Sequence, residues 1–188
     1  MIKKIITEEY LREKVSDFWF SDLTNEDIVP YFFISNDVWF DDGFEGLCLP
    51  ETKATFYNYV QQVLDIILSF AYKEEESKCY IGPFHNVDNY ERWTNKEEFD
   101  CFNELKNHIA NNDYFEINVA ENKELLGLLI ENNFRCLTKI SICFPKNNIL
   151  LRPTHHMEVI VYSQQKNQTM NSLLDIVYLK KWKLIDKA

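Results

Sequence analysis

Residues 114–144 read YFEINVAENKELLGLLIENNFRCLTKISICF, and the order of patterns inside them decides the fold class. YFEINV alternates apolar and polar positions, as a half-buried strand does. ENKELLGLLIENN spaces its leucines and Ile130 at helical intervals, and Asn133 is expected to close that helix in the left-handed conformation. CLTKISICF returns to period two and sets Ile140, Ile142 and Phe144 on one face. Strand, helix and strand with short connections predict an α/β (α+β) fold: a mixed sheet flanked by helices.

Outward from this core the pattern continues. CYIGPF reads as a strand ending at Pro83. TNKEEFDCFNELKNHIANN opens with a Thr94–Glu97 capping box and predicts a helix over 96–110, packed on the sheet with the one at 122–132. NILLRP and MEVIVYS read as strands, and MNSLLDIVYLKKWKLI as a helix followed by a strand. Towards the N-terminus, TKATFYNYVQQVLDIILSFAYK is a long amphipathic helix with Phe56, Val60, Val63, Leu64, Ile67 and Phe70 on one stripe. Thr7 caps a second helix in which Leu11, Val15, Phe18 and Trp19 share a face. Pro30 limits Tyr31–Ile34 to a short strand or turn. The chain therefore reads as a single domain over 1–188, with a more helical, acidic front at 1–77 and a mixed α/β body at 78–188.

One piece of the body resembles the GNAT N-acetyltransferase superfamily. There a strand ends in Val, an Asn starts a helix, and a Gly-Phe pair leads into the next strand; Val119, Asn122 and Phe134 keep those places, with Asn133 for the Gly. YIGPFHNVDNYERW is similar to the strand and loop ahead of that family's acetyl-CoA helix. The resemblance covers about residues 79–144 and implies a GNAT-like fold in which Tyr90, Arg92 and Asn122 would meet the cofactor. The family's glycine-bearing pyrophosphate loop is missing. After Arg92 the chain reads WTNKEEFD, which puts Glu97 and Glu98 where backbone N–H groups should hold an anion. No cofactor is expected, and acetyl-CoA should show no measurable binding.

Charge gives the functional lead. The chain carries a net −10, and residues 1–51 hold twelve acids against four bases. From Val15 to Thr52 there are nine carboxylates and no Lys or Arg. Such a balance disfavours a grip on nucleic acid or on anionic lipid, and suits a basic protein. Within this stretch DVWFDDGFEGLCLPE alternates rings with acids. Asp37, Trp39, Phe40, Asp41, Asp42, Phe44 and Glu45 are the candidate partner-binding residues, because interface centres use aromatic anchors and carboxylates select Lys and Arg.

The histidines and the five cysteines form no zinc-ligand spacing, and no metal is expected. His155 and His156 are adjacent and would point to opposite faces of a strand. No apolar run is long enough for a signal peptide or a membrane span, so a cytoplasmic location is expected. The reading favours a non-catalytic inhibitor, such as an immunity protein that neutralises a toxin nuclease or a phage-type antagonist. A GNAT-like acyltransferase and a non-catalytic adaptor module are the alternatives.

Overall fold

The structure, a computed structural model, describes residues 4–15, 28–35, 50–82, 85–86, 100, 114–134, 138–154, 158–164 and 168–185. Its strands are β1 (Lys4–Ile6), β2 (Ile28–Ser35), β3 (Lys78–Ile81), β4 (His85–Asn86), β5 (Tyr114–Asn118), β6 (Thr138–Lys139), β7 (Ile142–Phe144), β8 (Ile149–Pro153), β9 (Val159–Gln164) and β10 (Trp182–Ile185). Its helices are α1 (Glu8–Lys14), α2 (Pro50–Lys73), α3 (Lys123–Phe134) and α4 (Thr169–Leu179). Eight strands form one sheet in the order β1-β5-β3-β7-β8-β9-β2-β10, and β4 pairs with β6 separately.

The α+β class read from the sequence holds. The expected mixture of strand directions does not, because every described pairing is antiparallel. The strand–helix–strand unit explains the difference. β5 and β7 run parallel to each other, joined through α3, but β3 lies antiparallel between them and pairs with both. The acidic front is part of the same sheet: β1 pairs with β5, and β2 sits between β9 and β10.

One face of the sheet carries α2, α3 and α4. The α2 stripe Phe56, Val60, Val63, Leu64, Ile67 and Phe70 is buried against Ile81, Phe115, Ile117, Ile142, Phe144 and Leu151 from the strands. Strand alternation supplies that wall, with every second side chain pointing to the helices. Pro50 suits the first turn of α2, where its missing N–H has no partner to lose. The opposite face carries α1, whose Leu11 packs with Ile6, Val15, Tyr80, Cys143 and Leu150. Cys79 and Cys143 are free thiols on opposite faces, and burial raises the pKa of both well above the usual thiol range. Both are therefore held as unreactive thiols.

Three local expectations change. The first helix ends at Lys14, not beyond Trp19, because Val15 is extended at φ −114° and ψ 149° and only its N–H still reaches Leu11. β2 is a full eight-residue strand that contains Pro30. That proline faces Tyr162 of β9 and lies beyond the described β10 pairing, which ends at Phe32. Among the described residues that side of Pro30 is an edge, and edges are where strands tolerate proline. Asn133 does not close α3 in a left-handed conformation. It is helical and buried, and the helix runs on to Phe134. Of the helix expected over 96–110, only Asp100 lies among the described residues, and it is helical.

Candidate functional site

Asp37, Trp39, Phe40, Asp41, Asp42, Phe44 and Glu45 lie outside the described residues, as do Tyr90, Arg92 and the His155–His156 pair. The anchorage of the acidic stretch is described. On one side, β2 ends at Ser35, which pairs with Trp182 at the start of β10. Trp182 is 2% exposed, stacks on the Tyr59 ring at 4.9 Å and donates its indole N–H to Gln62 Oε1 at 2.8 Å. Tyr59 in turn meets Phe134 edge-on at 5.6 Å. Strand β2, edge strand β10 and helices α2 and α3 are thus locked together where the acidic stretch leaves the sheet. On its other side the stretch enters α2 at Pro50.

Asn122, assigned to a cofactor by the resemblance, caps α3. Its Nδ2 and its backbone N–H both donate to Asn118 O, at 2.9 and 3.0 Å, while its own carbonyl accepts from Leu126 N at 2.9 Å. Asn118 Oδ1 accepts from Ala120 N and Glu121 N, a side-chain-closed turn that aims the chain from β5 into the helix. The donors of Asn122 named here serve that turn, and Glu124 occupies the first turn of α3.

Two buried polar groups that the sequence reading missed hold the elements in register. Asn133 donates from Nδ2 to Pro153 O at 2.6 Å and accepts from Ile140 N at 2.9 Å, which pins α3 to β8 and to the run entering β7. Glu76, 6% exposed, accepts from Lys146 N at 2.7 Å and from Asn147 Nδ2 at 2.6 Å, across the β7–β8 turn. Thr169 Oγ1 donates to Asn147 Oδ1 at 3.4 Å and ties α4 to the same turn. Burial raises the Glu76 pKa despite these donors. Nothing in KEEESK separates Glu76 from Glu74 and Glu75. Only the fold shows that one of the three faces inward.

On the α1 face, Lys78 pairs with Glu116 at 3.1 Å, and Tyr80 lies beside Tyr10 and Glu116. Burial, then the phenol of Tyr10 and the carboxylate of Glu116, raise the Tyr80 pKa above the usual phenol range. This cluster fastens α1 to β3 and β5. Beneath α2 and α4 lies a void of about 10 Å³ lined by Phe33, Val63, Ile67, Leu151, Val161 and Trp182. It is apolar, with room for about one water at most. Among the described residues no group of three or more His, Cys, Asp or Glu is placed to hold a metal ion. Among them, too, no helix is long and apolar enough to cross a membrane. No protein-family model, no curated protein and no solved structure matches the chain.

Proposed function

We propose that this protein is a non-catalytic inhibitor that docks a basic protein partner through the acidic, aromatic stretch Asp37–Glu45. An immunity protein covering a toxin nuclease, or a phage-type antagonist of a nucleic-acid enzyme, is the kind of activity meant. The observation that carries the reading is the run of nine carboxylates without a Lys or Arg between Val15 and Thr52, with Trp39, Phe40 and Phe44 set among them. Like charges held so close repel one another and lower stability, a cost that a cationic partner would reverse. The stretch is also flanked by firmly held elements: β2 is paired with both β9 and β10 at Phe32 and Phe33, and with β10 to its end at Ser35. Fixed ends reduce what must be ordered on binding.

The test begins with affinity capture from the host and continues with kinetics on the captured partner. Association should slow as salt rises, since exposed charges steer over about 10 Å at 0.1 M salt. Reversing Asp41 and Asp42 to Lys should slow association further while leaving the unfolding free energy within about 0.5 kcal/mol of wild type. Trp39→Ala should act on dissociation instead, costing ~2 kcal/mol or more if the ring is an interface anchor. Binding untouched by the double reversal at low salt would reduce the stretch to a solvated face. Acetyl-CoA is expected to give no heat on titration. A micromolar dissociation constant would replace this reading with acyl transfer, and Tyr90, Arg92 and Asn122 would be the residues to mutate.

A further inference from the structure

Arg152 stands in β8 on the sheet face opposite α2, α3 and α4. Its neighbours in register are Ile160 across the strand and Ser141 on the other side, where the Ile142–Leu151 pairing continues outward. Its Nε donates to Ser141 Oγ at 3.1 Å, and its guanidinium carbon lies 5.4 Å from the centre of the Tyr162 ring. Ser141 is buried, and Arg152, Ile160 and Tyr162 are half-buried. The two contacts fix the plane of the guanidinium, and neither neutralises it. Among the described residues Arg152 forms no ion pair. Strand alternation puts Glu158 on the same face, one diagonal step away, yet the two are not joined.

That is an unusual state in a chain with ten surplus negative charges. An arginine drawn partly out of water is ordinarily paired, because burying an uncompensated cation is unfavourable. Here one of its five N–H donors is committed, and the terminal fork makes no hydrogen bond to a described residue. A planar fork held by a hydroxyl and an aromatic face is the arrangement that takes an oxyanion through two parallel hydrogen bonds. Buried Cys143 and Leu150 give the floor beside it an apolar character.

We infer that Arg152, Ser141 and Tyr162 form a binding site for a small ligand bearing one carboxylate or phosphate group, with an apolar or planar portion resting on Tyr162 and Ile160. The oxyanion meets the Arg152 fork. A long polyanion is disfavoured by the overall charge, whose repulsion grows with each added phosphate, so the ligand is compact. This inference does not rest on the acidic stretch proposed to dock a protein.

The probes are sodium phosphate and sodium acetate, with sodium chloride at equal ionic strength as control. The readouts on the ¹⁵N-labelled full chain are the Arg152 Nε–H resonance and the Tyr162 amide. Phosphate or acetate should shift both saturably in the millimolar range, chloride should not, and Arg152→Gln should weaken the Tyr162 response roughly tenfold or more. Tighter phosphate marks a phosphate-bearing ligand, and tighter acetate a carboxylate. The inference is overturned if neither anion saturates in wild type, or if chloride acts equally. It is also overturned if a response appears only after Asp37, Asp41, Asp42 and Glu45 are changed to Asn or Gln, since the chain itself would then fill the site. Because wild type gives the primary reading, a folding defect in the variant cannot mask the outcome.

Discussion

Trp182→Ala is expected to lower unfolding stability by about 3–5 kcal/mol, the largest loss of any single change considered. The indole is 2% exposed, stacked on Tyr59 and bonded to Gln62. Its removal opens a cavity where β2, β10, α2 and α3 meet, and the backbone there cannot collapse without breaking the Ser35–Trp182 pairing. Trp182→Phe keeps a ring beside Tyr59 but gives up the pyrrole half of the indole with its N–H donor, so about 1–3 kcal/mol should go. Urea unfolding followed by circular dichroism measures both. Amide exchange should in addition quicken at residues 32–35 in the alanine variant, ahead of the remaining strands. A loss under about 1 kcal/mol for Trp182→Ala would mean that β10 is not fastened in this way.

Glu76 gives the second large effect. Glu76→Ala strands the Lys146 N–H and the Asn147 amide in a part-buried turn and should cost roughly 2–4 kcal/mol. Glu76→Gln should cost much less. Asn147 can turn its amide over, offer its oxygen to the new NH₂ and donate instead to Thr169 Oγ1. The pair also separates hydrogen bonding from charge. Because burial raises the folded-state pKa of Glu76 above its unfolded value, its favourable contribution is fully present in acid and is lost as pH rises through the raised value. The stability of Glu76→Gln relative to wild type should therefore climb with pH, starting in the ordinary glutamate range and levelling off above it. Urea midpoints across that range test the sign. A relative stability that falls with pH would show that the donors outweigh burial.

Much of the architecture was legible because it is written in local period. The α2 stripe, the alternation around Ile140, Ile142 and Phe144, and the closing helix-then-strand all lie where their spacing put them. Pairing partners were not legible. Nothing local in YFEINV or SICF says that β3, from much earlier in the chain, inserts between them, so strand direction was misjudged. Ends of elements failed for a related reason. Val15 continues a helical stripe in sequence, but the structure extends it and buries it with Tyr80 and Leu150. Asn133 has the composition of a helix stop, while its value lies in reaching Pro153 and Ile140, partners that only the fold supplies. For the candidate sites the limit is similar. Charge counting finds a run such as Asp37–Glu45, but a single cation such as Arg152 becomes noticeable only when its neighbours are known.

The insertion of β3 and the placement of β1, β2 and β10 also govern how the chain comes together. Lys4 pairs with Glu116, and Ser35 with Trp182, so these partners are more than a hundred residues apart. By contrast β7, β8 and β9 are joined by short connections and pair with their immediate successors. Loop-closure entropy makes that three-strand meander the cheapest sheet to nucleate, with α2 able to form independently beside it. β2 must wait for β9 and β10. Until they arrive, the segment IVPYFFIS is an unpaired apolar strand, and slow non-local pairing of this sort is what exposes a folding chain to association with its copies. Pro30 then acquires a second meaning: it interrupts the ladder that a neighbouring chain would need to extend along β2.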